Sequence, residues 1–244
     1  MALADEIAAW LRQEIDRVGA SGAAVGLSGG IDSAVVAGLA ARGLGPERVQ
    51  ALIMPIHSQQ QDVEDAQLVA DAFGIPAQTI DLGPVFDLLR SLLPQGTQLA
   101  EANLKPRLRM LTLYFVANSR NLVVVGTGNR SELMVGYFTK YGDGGVDLLP
   151  LGSLLKHDVY EVARGIGVPQ RIIDRSPSAG LWAGQTDETE MGISYADLDQ
   201  ILTALTQGDT TGLAPEKLAK VQRMIAGSEH KRHTPPIFQP GERP

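Results

Sequence analysis

The stretch Leu27-Ser28-Gly29-Gly30-Ile31-Asp32-Ser33 most narrows what this chain can become. It follows an apolar run of strand length, Ala23 to Leu27, and precedes an Ala/Val-rich helical segment, Ala34 to Arg42. Two glycines between a strand and a helix let backbone N–H groups converge on an anion, and the helix N-terminus adds partial positive charge. The loop therefore reads as a phosphate cradle. Asp32 would stand beside the bound anion, which is electrostatically sensible when a cation such as Mg²⁺ lies between them. Taken alone, a two-glycine turn capped by Ser28 also has a plain structural reading, so the rest of the chain has to decide.

Around this loop the chain alternates short apolar runs with helical patterns. The runs are Ala23 to Leu27, Val49 to Ile56, Ala77 to Leu82 and Leu122 to Gly126, with Asp147 to Leu151 a fifth. Near-continuous apolar strands interleaved with helices predict an α/β fold, a parallel five-stranded sheet with helices on both faces. Leu3, Ile7, Trp10, Leu11, Ile15 and Val18 recur at helical spacing and predict an amphipathic lead helix. Ser58, three residues before Gln61, predicts a capping box for a helix to about Phe73, and Gly74 ends it. Pro84 opens a helix to about Leu93, and Pro106 falls in the first turn of a long one. Further helices are expected at 130–137, 155–165, 169–175, 195–205 and 215–226. The weakly patterned segment 176–192 suits a mobile lid, and the proline-rich 234–244 an extended tail, on one domain spanning 1–244.

Charge and composition remove several function classes. A net charge of −7 argues against a nucleic-acid-wrapping surface. The absence of cysteine excludes disulfides, thiolate metal sites and cysteine nucleophiles. No apolar run approaches the ~18 residues of a membrane span, and the first residues lack a signal-peptide pattern, so a cytoplasmic protein is expected.

In an open parallel sheet, ligands bind beyond the carboxyl ends of the strands where strand order reverses. The unusual residues collect there: Ser28 to Ser33, Pro55-Ile56-His57-Ser58, and Gly126-Thr127-Gly128-Asn129-Arg130-Ser131-Glu132. Asp32 and Glu132 supply two carboxylates for a hard cation, although an acid in a first helical turn is equally a dipole-favoured residue.

Six motifs together resemble the ammonia-dependent NAD synthetase family: Ser28 to Ser33, Leu104-Lys105-Pro106-Arg107-Leu108-Arg109-Met110, Gly126 to Glu132, Gly136 to Gly145, Asp187 to Tyr195, and Glu229-His230-Lys231-Arg232. The likeness runs from about residue 3 to 238. The first motif is widespread among ATP-pyrophosphatases; the later ones belong to the NAD synthetase branch. The resemblance implies a Rossmann-like, adenine-nucleotide alpha-hydrolase-like fold. It also implies a ligase that adenylates the nicotinate carboxylate of deamido-NAD with ATP, releases pyrophosphate, and lets ammonia expel AMP. ATP contacts are implied at Ser28, Gly29, Gly30, Ile31, Asp32, Ser33, Ala34 and Val35, and at Thr127, Lys156 and Ser178. Asp32 and Glu132 would hold Mg²⁺ and, with Lys156, form the catalytic set. Deamido-NAD contacts are implied at Arg107, Lys140, Asp147, His230 and Lys231, with Asp143 a further contributor. Tyr114 matches a position that packs on the dinucleotide held mainly by the other subunit, which implies a homodimer with sites at the interface.

Without the resemblance these residues have duller readings. Lys140, Lys156 and Lys231 would be solvated lysines, Arg107 and Arg109 partners of nearby carboxylates, and Tyr114 and Phe115 packing residues. His57 and His157 have no paired ligand spacing and read as structural. The chain departs from the family at Pro106, where alanine is usual, and at His57-Ser58-Gln59-Gln60-Gln61. Two rivals stand: a non-catalytic adenine-nucleotide sensor of the same fold class, and an ATP-pyrophosphatase amidating a different carboxylate. A fused glutaminase would need a cysteine, so free ammonia is the expected nitrogen donor, with no nucleic-acid or membrane partner.

Overall fold

The first three apolar runs and the fourth become parallel strands β1 (Gly22–Leu27), β2 (Val49–Ile53), β3 (Ala77–Thr79) and β4 (Leu122–Val125). Their order is β3-β2-β1-β4 in this computed structural model, which describes residues 2–178 and 186–238. The register sets Leu27 opposite Ile53 on one side and Val25 opposite Val125 on the other. The twofold alternation of strand side chains then divides the core. Ala23, Val25, Ala51, Ile53, Val123 and Val125 face α1 (Leu3–Arg17), α2 (Ile31–Leu44), α8 (Lys156–Ile166) and the short α9 (Gln170–Ile173). Ala24, Leu52 and Val124 face the opposite layer, built on α4 (Gly83–Leu92) and α6 (Leu104–Arg120).

The expected fifth strand is reduced to one bridge, Val125 to Leu148, so the sheet has four strands among the described residues. The cause is local. Pro150 has no N–H to give a ladder, and the chain turns at once, Gly152 N–H donating to Leu149 O at 3.1 Å. The sequence also misplaced a cap. Helix α3 (Gln60–Phe73) starts after Gln59, whose N–H donates to Asp62 Oδ2 at 3.1 Å, while Ser58 Oγ accepts from Ile56 N–H. A short helix, α5 (Gln98–Ala102), was not expected; Thr97 Oγ1 caps it by accepting from Ala100 N–H.

A second apolar cluster joins α7 (Arg130–Val135), α10 (Asp187–Met191), α11 (Tyr195–Gln207) and α12 (Pro215–Gly227) beside the sheet. The end of the segment expected to be a lid thus forms a helix whose Met191 is buried in this cluster. Residues 179–185, the centre of that expectation, and 239–244 of the tail lie outside the described residues.

Candidate active site

Because β2 and β4 flank β1, the loops leaving β1 and β4 diverge from one crevice. Gly29 makes the first of these turns with φ +81°, and a Cβ there would lie 2.6 Å from Asp62 O, so both conformation and space require glycine. Ser33 Oγ donates to Gly30 O at 2.9 Å and lies 3.1 Å from Ser28 Oγ, which ties the loop back onto the first turn of α2. The crevice opens into a cleft of about 470 Å³ lined by Ser28, Gly30, Ile31, Asp32 and Ser33, and by Thr127, Glu132, Asp143, Ser178 and Lys231. Ala34 and Val35 do not reach it. Both are fully buried in the core, and Ala34 N–H is already bonded to Gly30 O.

Lys156 is the residue the fold places least expectedly. It is the largest fully buried side chain of the chain's described part, at 1% exposure, rather than a surface lysine. Its Nζ donates to Asp32 Oδ2 at 2.6 Å and to Glu132 Oε1 at 3.1 Å, and stands 4.7 Å over the Tyr195 ring. The carboxylates are in turn held from behind. Asn129 Nδ2 donates to Asp32 Oδ1 at 2.8 Å, and Tyr195 OH donates to Glu132 Oε1 at 3.0 Å. Asn129 Oδ1 also accepts from Glu132 N–H at 3.1 Å, so Glu132 is both a first-turn capping acid and a site acid.

The electrostatics follow from this burial. Desolvation pushes the Glu132 carboxyl up to about 7, against the pull of Lys156 and with the push of Asp32. Burial alone would lower the Lys156 ammonium, but Asp32 and Glu132 outweigh it and hold the group charged. Burial, with Glu132 and Asp187 nearby, raises the Tyr195 phenol, which stays protonated as a donor. Tyr137 behaves likewise, its OH lying 2.8 Å from Glu190 Oε2 and 3.1 Å from Asp187 Oδ1, either of which can accept its one proton.

This donor set suits a hard divalent cation. Asp32 and Glu132 aim oxygens at one cationic point, now taken by the ammonium, and acids outnumber bases around it. No group of three His, Asp or Glu able to cage a metal occurs among the described residues. A cation here would therefore complete its shell with phosphate oxygens or water.

The residues assigned to the dinucleotide fall into two groups. Near the cleft, Lys140 Nζ donates to His230 O at 2.7 Å, Lys231 Nζ donates to Gly136 O and Phe138 O at 2.8 Å, and Asp143 Oδ1 accepts from Thr139 N–H at 2.9 Å. Arg107 is exposed beside them, with Nη2 3.4 Å from Lys140 O. Pro106 is buried in the first turn of α6 against this glycine loop: a Cβ on Gly142 would be 3.0 Å from its own Cβ. Tyr114 and Asp147 form a separate pair, the phenol donating to Asp147 Oδ1 at 2.8 Å while Asp147 Oδ2 accepts from Val124 N–H. Burial and Asp147 raise the Tyr114 phenol.

Several lining residues received no role from the sequence. Arg109 lines the cleft and donates from Nε to Met54 O at 3.0 Å. Arg175 lines it too, ion-paired with Asp62 and, at 2.9 Å, with Asp65. Asn129 was findable, because Asn129-x-x-Glu132 is a capping-box pattern. Arg175 carried no local signal. His57 and His157 both lie against acids, His57 Nε2 2.9 Å from Asp87 Oδ1, and His157 3.0 Å from Asp158 Oδ1 and 3.1 Å from Asp199 Oδ2.

The family model described as NAD synthase matches residues 3–235. The chain belongs to the NAD synthase family. Within that family it is 51% identical to the NH(3)-dependent NAD(+) synthetase of Archaeoglobus fulgidus, over 96% of this chain and 94% of that protein. Among solved structures, an NMN synthetase from Francisella tularensis superposes with a TM-score of 0.89 at 37% identity, covering 98% of both chains. The NH3-dependent NAD synthetase from Campylobacter jejuni, in complex with the nitrate ion, gives 0.85 at 29% identity, covering 97% of this chain and 98% of that one. The α/β parallel fold expected for this NAD synthase family chain is thereby shown. Among the described residues no helix is long and apolar enough to cross a membrane.

Proposed function

We propose that this chain amidates the nicotinate carboxylate of deamido-NAD with ammonia, driven by cleavage of ATP to AMP and pyrophosphate. The observation that carries this reading is the buried Lys156 ammonium held between Asp32 and Glu132, two acids that line the cleft together with Ser28 and Ser33, in a member of the NAD synthase family. In the first step a carboxylate oxygen attacks the α-phosphorus and the bond to pyrophosphate breaks. In the second, ammonia attacks the activated carbonyl, AMP departs with the bonding pair, and the nitrogen gives up a proton. The loop N–H groups hold the departing pyrophosphate, and Thr127 and Ser178 border the ATP. Lys156 is charged and preorganised to meet negative charge as it develops on the phosphates. Asp32 and Glu132 would hold Mg²⁺ together with phosphate oxygens, and its charge would then neutralise that of the phosphates. Arg107, Lys140 and Lys231 offer cations to the dinucleotide's phosphates and carboxylate, and Asp143 with the His230 segment borders the same end. On α6, Tyr114 lies beside exposed Leu111 and Phe115, 63% and 72% accessible, a face suited to a second copy and hence to a homodimer.

The test is pyrophosphate release by purified protein with ATP, Mg²⁺, ammonium and deamido-NAD, with NAD formation followed in parallel. ATP binding without turnover would instead support a sensor. The likeness to an NMN synthetase favours a second reading, in which the acceptor carboxylate belongs to nicotinate mononucleotide. The ratio of kcat/KM for the two acceptors decides between them, and a preference for the mononucleotide overturns the first.

A further inference from the structure

A buried carboxylate outside the cleft ties together the elements that carry the site. Asp199 lies on α11, 5% exposed, and is not among the residues lining the cleft. One of its oxygens, Oδ1, accepts a short hydrogen bond from Ser131 Oγ, and that hydroxyl accepts from Lys156 N–H at 3.0 Å. The other, Oδ2, accepts from His157 N–H at 3.0 Å and lies 3.1 Å from His157 Nδ1. These are the first two N–H groups of α8, which its own turns leave without partners. Ser131 is fully buried on α7 and adjoins Glu132. One carboxylate thus caps the helix that begins with Lys156 and clamps the helix that carries Glu132. A negative charge at a helix N-terminus is also favourable to the helix dipole. His157, read as structural from the sequence, completes this cap through its amide and Nδ1.

We propose that Asp199 is a positioning residue for adenylation: through Ser131 and the His157 amide it fixes where α8 starts, and so holds the Lys156 ammonium between Asp32 and Glu132. This rests on the functional reading above. Asp199 touches neither substrate nor reacting atoms in this scheme, and its effect passes through the placement of Lys156. A displacement of about 1 Å at such a group is enough to cost on the order of 100-fold in rate.

The test uses Asp199→Asn, which keeps the shape, and Ser131→Ala, which removes only the relay. Each is made alone and on the Lys156→Ala background. Pyrophosphate release is expected to fall about 30-fold or more in kcat for Asp199→Asn, with KM for deamido-NAD changed less than about threefold, and the loss should vanish on the Lys156→Ala background. A residue that only stabilises the fold would give losses that multiply on that background, and either that outcome or a wild-type kcat overturns the proposal. Amide hydrogen exchange supplies a readout independent of turnover: exchange at His157 should accelerate about tenfold or more in Asp199→Leu, which removes both acceptor oxygens, while β1 stays protected. Unchanged exchange at His157 overturns the proposal even if the wild type proves inactive, whereas inactivity of the wild type alone counts only against the assigned reaction.

Discussion

Replacing Lys156 by methionine keeps most of the side-chain volume and deletes the ammonium that Asp32 and Glu132 share. Both acids are largely enclosed, with side chains 19% and 15% exposed against 2% for the lysine. Removing one partner of a buried ion pair costs about 3–5 kcal/mol, and the residual solvent access of the acids places the expected loss near about 3 kcal/mol. At roughly 2–4 °C per kcal/mol for a chain of this size, the melting temperature should drop by about 6–12 °C at alkaline pH.

The sign of the pH dependence follows from Glu132, whose carboxyl burial raises from an ordinary 4.5 to about 7. Its stabilising contribution is complete below the lower value and is lost as pH rises through the higher one. Lys156 pulls that upper value down, so its removal pushes it higher. Below it the variant's Glu132 is protonated and leaves only Asp32 unpaired. The melting deficit of Lys156→Met relative to wild type should therefore be about twice as large near pH 8.5 as near pH 5.5. Thermal unfolding by circular dichroism across that range, without nucleotide or divalent cation, is the assay. A deficit that does not depend on pH, or one under about 1 °C, would refute the placement of the ammonium between the two acids.

Other perturbations probe separate parts of the site. Asp32→Asn should leave the fold intact, since the amide can still meet Asn129, but should weaken Mg²⁺-dependent pyrophosphate release; an unaltered Mg²⁺ titration would remove Asp32 from the metal's shell. Lys140→Ala should raise KM for deamido-NAD more than KM for ATP, and the opposite pattern would reassign that lysine to the other substrate. Gly29→Ala should cost about 1–3 kcal/mol in stability from its left-handed backbone and the approach of Asp62 O, and should weaken ATP binding measured by calorimetry. Normal binding would show that the loop tolerates a Cβ. Phe115→Glu should shift the protein toward monomer in light scattering, and an unchanged mass would exclude the α6 face from a dimer interface.

Much of the fold was legible because its signals are local. The near-continuous apolar runs at 23–27 and 122–126 and the helical spacing from Leu3 to Val18 each need only a few neighbouring residues, and they appear as β1, β4 and α1 within a residue or so. The errors were also local. Asp147 to Leu151 has the composition of a strand, but Pro150 and the turn to Gly152 stop pairing after one bridge. Gln59 rather than Ser58 precedes α3, because the Asp62 carboxylate reaches the Gln59 amide. Within 176–192, Met191 is buried by α11 and α12, contacts that a weak periodicity does not announce.

By itself, the sequence determined the glycine turn between β1 and α2, the helix behind it and the family to which the chain belongs. Those depend on glycine conformations, apolar runs of strand length and motif identity, all of which are written in short stretches. Only the tertiary structure decided that Lys156 would be a buried cation shared by Asp32 and Glu132, and that Asp199 would cap the helix it starts. Those partners are 124, 24 and 42 residues apart in the chain. The charge state of such a group is set by the solvent it loses and the carboxylates it gains on packing, and neither is a property of its neighbours in sequence.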